Sequence, residues 1–554
     1  YFLKNPMSGF VTVFLLLALF VLAIPLVDVR EQPGPRRLHV KNRMQIPQSL
    51  CNGTPYPDLC FSSMEFVPNA TSFSLKLLLS STLTIALNVV KKASVELKYH
   101  SSSSSLEKLA IKDCLDLFDN TIHAIDTVIA YLSKPGSLSS MELHDVQTSL
   151  SAAMTNLGSC SDGLGKSTGI FRNEVKTWAN GSSKRFSDVL AMLKQMPEFA
   201  HFNSDKPSPR FGRITRGLFP SWVQRKDRKL LSGFPGGLVK VDLRVAQDGS
   251  GNFTTIGEAV AAAPNFSSKR FVIYVKAGTY SENIEIDFNK TMIMLIGDRF
   301  GKTIIRGNRS VVDGWTTYQT STVGVVGQGF IAKSITFVND AGAIKRQAAA
   351  VRSASDLSVF YKCTFLGYQD TLYVHSFRQF YRDCDIHGTV DIIFGNAAAV
   401  LQSCNLYARL PLPNQKITFT AQGRDDPNQN TGISIINSTF LAGPDLEPKV
   451  TTFQSYLGRP WKKYSRTVIL HSDISDLIAP AGWLEWNGTF ALDTLYYGEF
   501  SNTGKGSNTG ERVKWAGYRV IKSSDEANQF TLRSFIQGAS WVGYSSIPYF
   551  LDLD

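Results

Sequence analysis

The chain has 554 residues, which is too long for one ordinary domain and predicts two to four folded units. Its 43% hydrophobic and 19% charged residues are typical of a chain with sizeable buried cores, and they exclude wholesale disorder and a multispanning membrane protein. The formal net charge of +12 favours an acidic partner, which could be nucleic acid, an anionic membrane or a polyanionic carbohydrate.

An uncharged apolar run occupies residues 10–27, after Lys4 and before a charged stretch. Its length lies between the apolar core of a signal peptide and a full spanning helix. Pro25 near its end favours a cleaved signal peptide in residues 1–30. A retained signal anchor remains the alternative. Nine Asn-x-Ser/Thr sequons agree with passage through the secretory route, so disulfide bonds are allowed.

Residues 45–205 are predicted to form a helical domain. Apolar residues recur every three or four positions, and Ser-rich or Gly-rich breaks separate the segments. This pattern predicts an antiparallel four-helix bundle that packs or binds rather than holds a metal. Four of the seven cysteines lie here, and the simplest pairing is Cys51 with Cys60 and Cys114 with Cys160, with buried free thiols as the alternative.

Residues 206–237 are predicted to be a basic linker. Between Lys206 and Leu231 the chain has eight Lys or Arg residues against one acidic residue. A solvated connector would have this composition, but an exposed dibasic segment between two domains of an exported protein is also a site where processing proteases cut. Composition alone leaves both interpretations open.

Residues 238–545 contain short β-rich runs and a self-similar element whose second residues are at positions 335, 363, 384, 404 and 438. The steps of 28, 21, 20 and 34 residues are typical of a solenoid with a fixed strand and loops of varying length. We therefore predict an all-β right-handed parallel β-helix. A sandwich or propeller would show more hairpin signals. Cys384 and Cys404 lie one coil apart and are a candidate disulfide that leaves Cys363 unpaired.

Two carboxylates are predicted to stack in this solenoid. Asp370 and Asp391 are 21 residues apart, as are Cys363 and Cys384, which places them on adjacent coils at the strand spacing of about 4.8 Å. Such a pair cannot easily carry two charges, so one pKa should rise, which separates an acid from a nucleophile or base. A ladder of stacked polar side chains without chemistry is the structural alternative.

Two amides are predicted to reach the same place. Gln347 lies 22 residues before Gln369, which itself precedes Asp370. Neutral N–H donors beside a carboxylate pair are what an oxyanion requires, so this spacing favours acyl chemistry.

Long ordered motifs around these positions resemble the plant pectin methylesterases. They are 367–373 (GYQDTLY), 388–396 (GTVDIIFGN) and 457–461 (LGRPW), with further similarity at 248–256, 326–330, 420–424 and 495–500. The first third resembles the pectin methylesterase inhibitor family through its cysteines and through 150–155 (LSAAMT). Together these segments resemble a two-part precursor, in which the residues Arg228, Lys229, Leu230 and Leu231 resemble the basic processing site.

The resemblance implies a role for each site residue. Asp391 would be the nucleophile, and Asp370 the general acid and then base. The expected oxyanion and substrate contacts come from Gln369, Gln347, Arg459, Thr317 and Trp461. Arg459 would also keep Asp391 charged and oriented. This chemistry needs no metal or organic cofactor.

The expected activity is therefore hydrolysis of galacturonate methyl esters in pectin, outside the cell in the cell wall. Expected partners are methyl-esterified pectin, a proteinaceous pectin methylesterase inhibitor and a processing protease, but not nucleic acid. Two alternatives stay open: a retaining glycosidase on the same solenoid, since it also uses carboxylates about 5 Å apart, and a catalytically inactive pectin-binding or inhibitor protein. The bundle could silence the attached enzyme, assist its folding or inhibit other esterases.

Overall fold

The computed structural model describes residues 48–64, 75–166, 170–196, 241–545 and 547–553. The predicted export segment, the predicted linker and the candidate processing residues from Arg228 to Leu231 lie outside these ranges. Within them, no helix combines the length and the apolar character that crossing a bilayer would require.

The N-terminal part is a bundle of helices. Its helices are α1 (Gln48–Asn52), α2 (Pro57–Met64), α3 (Leu75–Tyr99), α4 (Ser105–Ser133), α5 (Ser140–Gly163) and α6 (Ile170–Leu193). Each of the four long helices packs against two of the others, α3 on α4 and α6, and α5 on α4 and α6. The predicted four-helix bundle is confirmed, with two short helices added at its start.

Local sequence signals determine where the long helices begin. Ser104 precedes α4 and its hydroxyl accepts a hydrogen bond from the Glu107 N–H. Ser139 and Glu142 form a capping box at the start of α5, in which each side chain accepts from the other residue's backbone N–H. These caps satisfy N–H groups that have no partner inside the helix.

Two disulfide bonds hold the bundle, as predicted. Cys51–Cys60 joins α1 to α2, and Cys114–Cys160 joins α4 to α5. All four sulfurs lie in the apolar core of the bundle.

The C-terminal part is a parallel β-helix with three long sheets. Sheet A contains β1 (Leu243–Val245), β2 (Phe271–Val275), β5 (Ile293–Gly297), β8 (Ile331–Lys333), β11 (Ser358–Tyr361), β14 (Arg378–Arg382), β17 (Ala398–Gln402), β21 (Gly432–Ile436), β24 (Arg466–Leu470), β26 (Tyr496–Phe500) and β27 (Tyr518–Val520). Sheet B contains β3 (Gly278–Ser281), β6 (Thr303–Gly307), β9 (Thr336–Asn339), β12 (Thr364–Leu366), β15 (Asp385–Gly388), β18 (Asn405–Ala408), β22 (Thr439–Ala442) and β25 (Asp473–Ile474).

Sheet C contains β4 (Ile284–Ile286), β7 (Val323–Val325), β10 (Val351–Ser353), β13 (Leu372–Val374), β16 (Ile393–Gly395) and β20 (Thr420–Gln422). A short pair, β19 (Ile417–Thr418) and β23 (Ser455–Tyr456), completes the strands. The α-helices among the described residues of the C-terminal part are α7 (Ile256–Ala262), α8 (Ser524–Asn528) and α9 (Leu532–Ile536), of which α9 packs on β17.

The predicted coil register is confirmed in sheet B. Thr336 pairs with Thr364, Thr364 with Asp385, Asp385 with Asn405, and Asn405 with Thr439. These partners are separated by the same 28, 21, 20 and 34 residues as the repeated element, so each coil places that element in the same corner.

The corner itself explains the repeat. The residue that opens each copy of the element has a positive φ between 49° and 58°, and these residues are Ser334, Lys362, Asp383, Ser403 and Asn437. A left-handed residue turns the chain from a strand of sheet A into the next strand of sheet B. The conformation costs a residue other than glycine about 1–2 kcal/mol, which the coil's ladder of hydrogen bonds must offset.

The predicted Cys384–Cys404 disulfide is wrong. Cys363, Cys384 and Cys404 are free, fully buried thiols, stacked in the core of the solenoid. The Sγ atom of Cys384 lies 3.4 Å from the Phe360 carbonyl oxygen. Side chains stacked on adjacent coils run parallel at the strand spacing of about 4.8 Å, which exceeds the Cβ–Cβ distance of about 3.8 Å that a disulfide needs.

Thiol counting tests this assignment. In guanidinium chloride without reductant, we expect about three thiols per chain to react with a thiol reagent, and about seven after reduction, because seven cysteines less two disulfides leave three. The folded protein should react slowly, since all three thiols are buried. A single reactive thiol in the unreduced, denatured protein would instead indicate a third disulfide bond, as predicted between Cys384 and Cys404.

Candidate active site

Asp370 and Asp391 occupy equivalent places on adjacent coils. Each lies two residues before a strand of sheet C, and those strands pair Leu372 with Ile393. Both aspartates have a positive φ, 65° and 52°, and the Asp370 N–H donates to the Val390 carbonyl oxygen at 3.0 Å. Their side chains are brought together by the register of the solenoid, as the 21-residue spacing predicted.

The two carboxyl groups have different surroundings. Asp391 forms a two-pronged ion pair with Arg459, whose Nε donates to Oδ1 and whose Nη2 donates to Oδ2, both at 2.7 Å. Burial alone would lower the pKa of Arg459, but the charge of Asp391 raises it above its ordinary value. Burial and the charge of Asp391 raise the pKa of Asp370 well above its ordinary value, against the opposing charge of Arg459. Of the two carboxyl groups, Asp370 is therefore the one whose protonated form is favoured.

The two predicted amides also lie on adjacent coils. Gln347 and Gln369 form an isolated parallel bridge, and the Ala348 N–H donates to the Gln369 carbonyl oxygen at 3.2 Å. Both residues are half-buried. Because Gln369 directly precedes Asp370, the amide pair and the carboxyl pair share one coil and occupy the same corner of three successive coils.

An aromatic wall continues from the pair. Tyr373 and Phe394 stack with their ring centroids 4.2 Å apart, and Trp461 lies 6.0 Å from Phe394. Trp461 follows Arg459 by two residues, so the arginine that contacts Asp391 and the tryptophan of the wall come from one loop. Thr317 is half-buried at the start of a short 3-10 helix, Thr317–Thr320.

The bundle covers this face of the solenoid through α5. The α5 residues that form hydrogen bonds or ion pairs with the solenoid recur every three or four positions, and they are Asp145, Thr148, Ser151, Thr155, Ser159 and Asp162. A cavity of about 380 Å³ lies between the two parts, lined on the solenoid side by Tyr373, Asn396 and Trp461 among others. We call this arrangement the α5 contact.

Three of these contacts lie beside the aromatic wall. The Asn396 amide donates to the Thr155 hydroxyl at 2.9 Å, and the Ser159 hydroxyl lies 2.9 Å from His375 Nε2. Lys462 Nζ, one residue after Trp461, lies 2.9 Å from an Asp162 oxygen. The α5 contact therefore lies along the aromatic wall that continues from the carboxyl pair.

A second contact, which we call the α4 contact, joins α4 to the segment around Thr317. The Asp113 carboxylate accepts hydrogen bonds from the Thr316 hydroxyl and the Gln319 amide. Its side chain is 3% exposed. Burial raises the pKa of Asp113 to about 6, although these hydrogen bonds and the charge of Arg352 act to lower it.

Sequence reasoning missed several residues of this region. His375, Asn396 and Asp113 carried no signal of contact between the two parts. Thr418 was also missed, although its hydroxyl lies 2.8 Å from Asp391 Oδ1. It follows Asp391 by 27 residues rather than 21, so the spacing that located the two aspartates did not locate it.

Comparisons with known proteins find two families along this chain. Residues 242–539 match the family model described as Pectinesterase, and residues 45–192 match the one described as Plant invertase/pectin methylesterase inhibitor. A probable pectinesterase/pectinesterase inhibitor 39 of Arabidopsis thaliana is 50% identical over 80% of this chain and 83% of its own. Pectinesterase 1 of Citrus sinensis is 46% identical over 91% of this chain and 88% of its own.

Among solved structures, the pectin methylesterase from carrot is 55% identical and aligns with a TM-score of 0.57. It covers 58% of this chain and 100% of its own. That structure is thus similar to the solenoid without the bundle.

The α4 contact should depend on pH. A protease site inserted in the linker allows the bundle to be cut and its affinity for the solenoid to be measured. The pKa of Asp113 is about 6 when docked, against an ordinary 3.8, so docking is favoured while the carboxyl is protonated and weakens as pH rises through 6. We expect about tenfold weaker binding at pH 7.5 than at pH 5 from this residue.

Asp113→Asn is the matched variant, because an amide mimics the protonated acid. Burial also raises the pKa values of Asp145 and Asp188, so the quantity that decides is the difference between the wild type and Asp113→Asn. Equal pH dependence in both proteins would contradict the assignment.

Proposed function

Because this chain belongs to the pectinesterase family and carries an inhibitor-family domain at its N-terminal side, we propose that Asp391 and Asp370 catalyse its hydrolysis of galacturonate methyl esters in pectin. The observation that carries this assignment is the contrast between the two carboxyls. Asp391 is paired through both oxygens with the Arg459 guanidinium, whereas burial and the charge of Asp391 raise the pKa of Asp370 well above its ordinary value.

In the first half-reaction, an Asp391 oxygen attacks the carbonyl carbon of the methyl ester. A carbon–oxygen bond forms, and the carbonyl electron pair moves onto its oxygen, where the Gln347 and Gln369 amides stabilise the oxyanion. The intermediate collapses, Asp370 donates its proton to the departing methoxy oxygen, and methanol leaves. The product is an anhydride between Asp391 and the sugar's carboxyl group.

In the second half-reaction, Asp370 is a carboxylate and takes a proton from water. The hydroxide attacks the sugar's carbonyl carbon, and the bond to Asp391 breaks. Asp391 returns to its anionic form beside Arg459, and Asp370 is again protonated. The released galacturonic acid ionises, so each turnover yields one methanol and one proton.

The proposal that Trp461 and Thr317 contact the substrate is based on where these two residues lie. Trp461 extends the aromatic wall away from the carboxyl pair, and sugar rings bind to such faces through apolar contact. Thr317 lies in the segment that α4 contacts.

Substitution of each carboxyl group tests the chemistry. We expect Asp391→Asn to lower methanol release by about 10⁴-fold or more, and Asp370→Asn by about 10²–10⁴-fold, since these are the losses typical of a nucleophile and of a general acid. Asp476→Asn is the matched control, because that aspartate pairs with Lys505 on the surface. Methanol, titratable acid and polymer length are measured on esterified pectin.

Shortening of the polymer without methanol would support a retaining glycosidase instead. Full activity of Asp391→Asn would remove Asp391 from the mechanism.

The bundle is proposed to inhibit the attached enzyme. The α5 contact lies against His375 and Asn396, which follow the two strands of sheet C that the aspartates precede, and the α4 contact lies against Thr316. A pectin polymer cannot bind along the aromatic wall while α5 lies against it. Cleavage within the predicted linker would then allow the bundle to leave.

We also propose that the protein acts in the cell wall after export. The two disulfide bonds support an oxidising compartment, and a net charge of +12 suits a polyanionic pectin surface.

Disruption of the α5 contact should activate the uncut chain. Thr155→Arg places a long cation where a hydroxyl meets Asn396, so we expect at least about tenfold more methanol release than from the wild-type chain. Thr84→Arg is the control: Thr84 is an exposed threonine on α3, and both hydroxyls also donate to the carbonyl four residues earlier in their helix. Unchanged activity in Thr155→Arg, with the bundle shown to be displaced, would exclude inhibition in cis.

A further inference from the structure

Thr418 holds the turn that presents Asp391. The turn has a positive φ at Asp391, and its backbone N–H points to the next coil, where the Thr418 Oγ1 accepts it at 2.8 Å. The Ile392 N–H donates to the Thr418 carbonyl oxygen at 3.0 Å, and the Thr418 N–H donates to the Thr389 carbonyl oxygen at 3.2 Å. Thr418 thus binds the turn on both sides of the aspartate.

The same hydroxyl also binds the reactive carboxylate. Thr418 Oγ1 donates to Asp391 Oδ1 at 2.8 Å. A hydroxyl has one hydrogen and two lone pairs, so it can accept from the Asp391 N–H and donate to Oδ1 at the same time. Thr418 is fully buried. The backbone and the side chain of Asp391 are therefore tied to one atom.

The hydrogen bonds distinguish the two carboxylate oxygens. Oδ1 accepts two, from Thr418 Oγ1 and Arg459 Nε, whereas Oδ2 accepts one, from Arg459 Nη2. Each carboxylate oxygen has about two lone-pair sites. In the part of the chain that the structure describes, Oδ1 is therefore saturated and Oδ2 keeps a free lone pair.

We propose that Thr418 is a positioning residue for the esterase reaction and that Oδ2 of Asp391 is the oxygen that attacks the ester carbonyl carbon. This inference rests on the proposed role of Asp391 as nucleophile. Thr418 orients the carboxylate by binding Oδ1, and Arg459 completes the orientation from the other side. Rotation of the carboxylate away from this orientation would break the bond to Thr418.

Three threonine variants test the positioning role. They are made in the whole chain with a protease site in the linker, cut, and assayed with esterified pectin. Thr418→Val keeps the shape and removes the hydroxyl. We expect kcat to fall about ten- to hundredfold with KM within about twofold, because the lost bond orients the attacking carboxylate while Thr418 itself does not contact the substrate. Thr418→Ser keeps the hydroxyl and should stay within about threefold of the wild type.

Thr303→Val is the matched control. Thr303 is also fully buried, and its hydroxyl accepts from the Asp298 N–H and donates to the Val275 carbonyl oxygen, away from the site. We expect its kcat to equal that of the wild type, while its melting temperature falls by an amount similar to that of Thr418→Val. Wild-type kcat in Thr418→Val, or equal losses in the Val and Ser variants, would overturn the proposal.

The oxygen assignment has its own measurement, which does not need the Val variant to fold. In a crystal structure of the cut Asp370→Asn protein with a methyl-esterified oligogalacturonide, the ester carbon should lie nearest to Oδ2 or be bonded to it. An ester carbon nearest to Oδ1 would refute the assignment. Activity in Asp391→Asn would instead refute the proposed function, so the two failures are distinguishable.

Discussion

Backbone pairing between successive coils is the interaction on which the rest of the molecule depends. It places Asp391 below Asp370 because Leu372 pairs with Ile393, and it places Gln369 below Gln347 in the same way. Two carboxyls at strand spacing repel each other when both are charged. The solenoid reduces this conflict within the site, since Arg459 pairs with Asp391 and burial raises the pKa of Asp370.

Much of this arrangement could be predicted from sequence because a coil of constant length turns spacing into position. Between 363 and 404 the coils take 20 or 21 residues, and there the two aspartates and the strand register were correctly located. The next coil is longer, so the position of Thr418 did not follow from counting. Arg459 lies 68 residues from its partner and was found through a motif rather than through geometry.

Spacing also misled where chemistry has stricter demands than proximity. Cys384 and Cys404 are on adjacent coils, but parallel side chains cannot adopt disulfide geometry without moving the backbone. The α5 contact could not be predicted from the sequence for another reason. Ser, Thr and Asp residues every three or four positions look like the solvated face of an amphipathic helix, and nothing in the pattern indicates that a second domain lies against it.

The solenoid separates what must stay constant from what can change. Strand pairing continues unbroken across coils of 20 to 34 residues, because extra residues are placed in loops between left-handed corners such as Asp383 and Asn437. An insertion in a loop alters the surface of the solenoid and leaves every core side chain facing inward. A single inserted residue inside a strand would turn the following side chains inside out. Tolerance to insertion should therefore alternate along the chain. Related proteins can differ in their loops while they keep the same core.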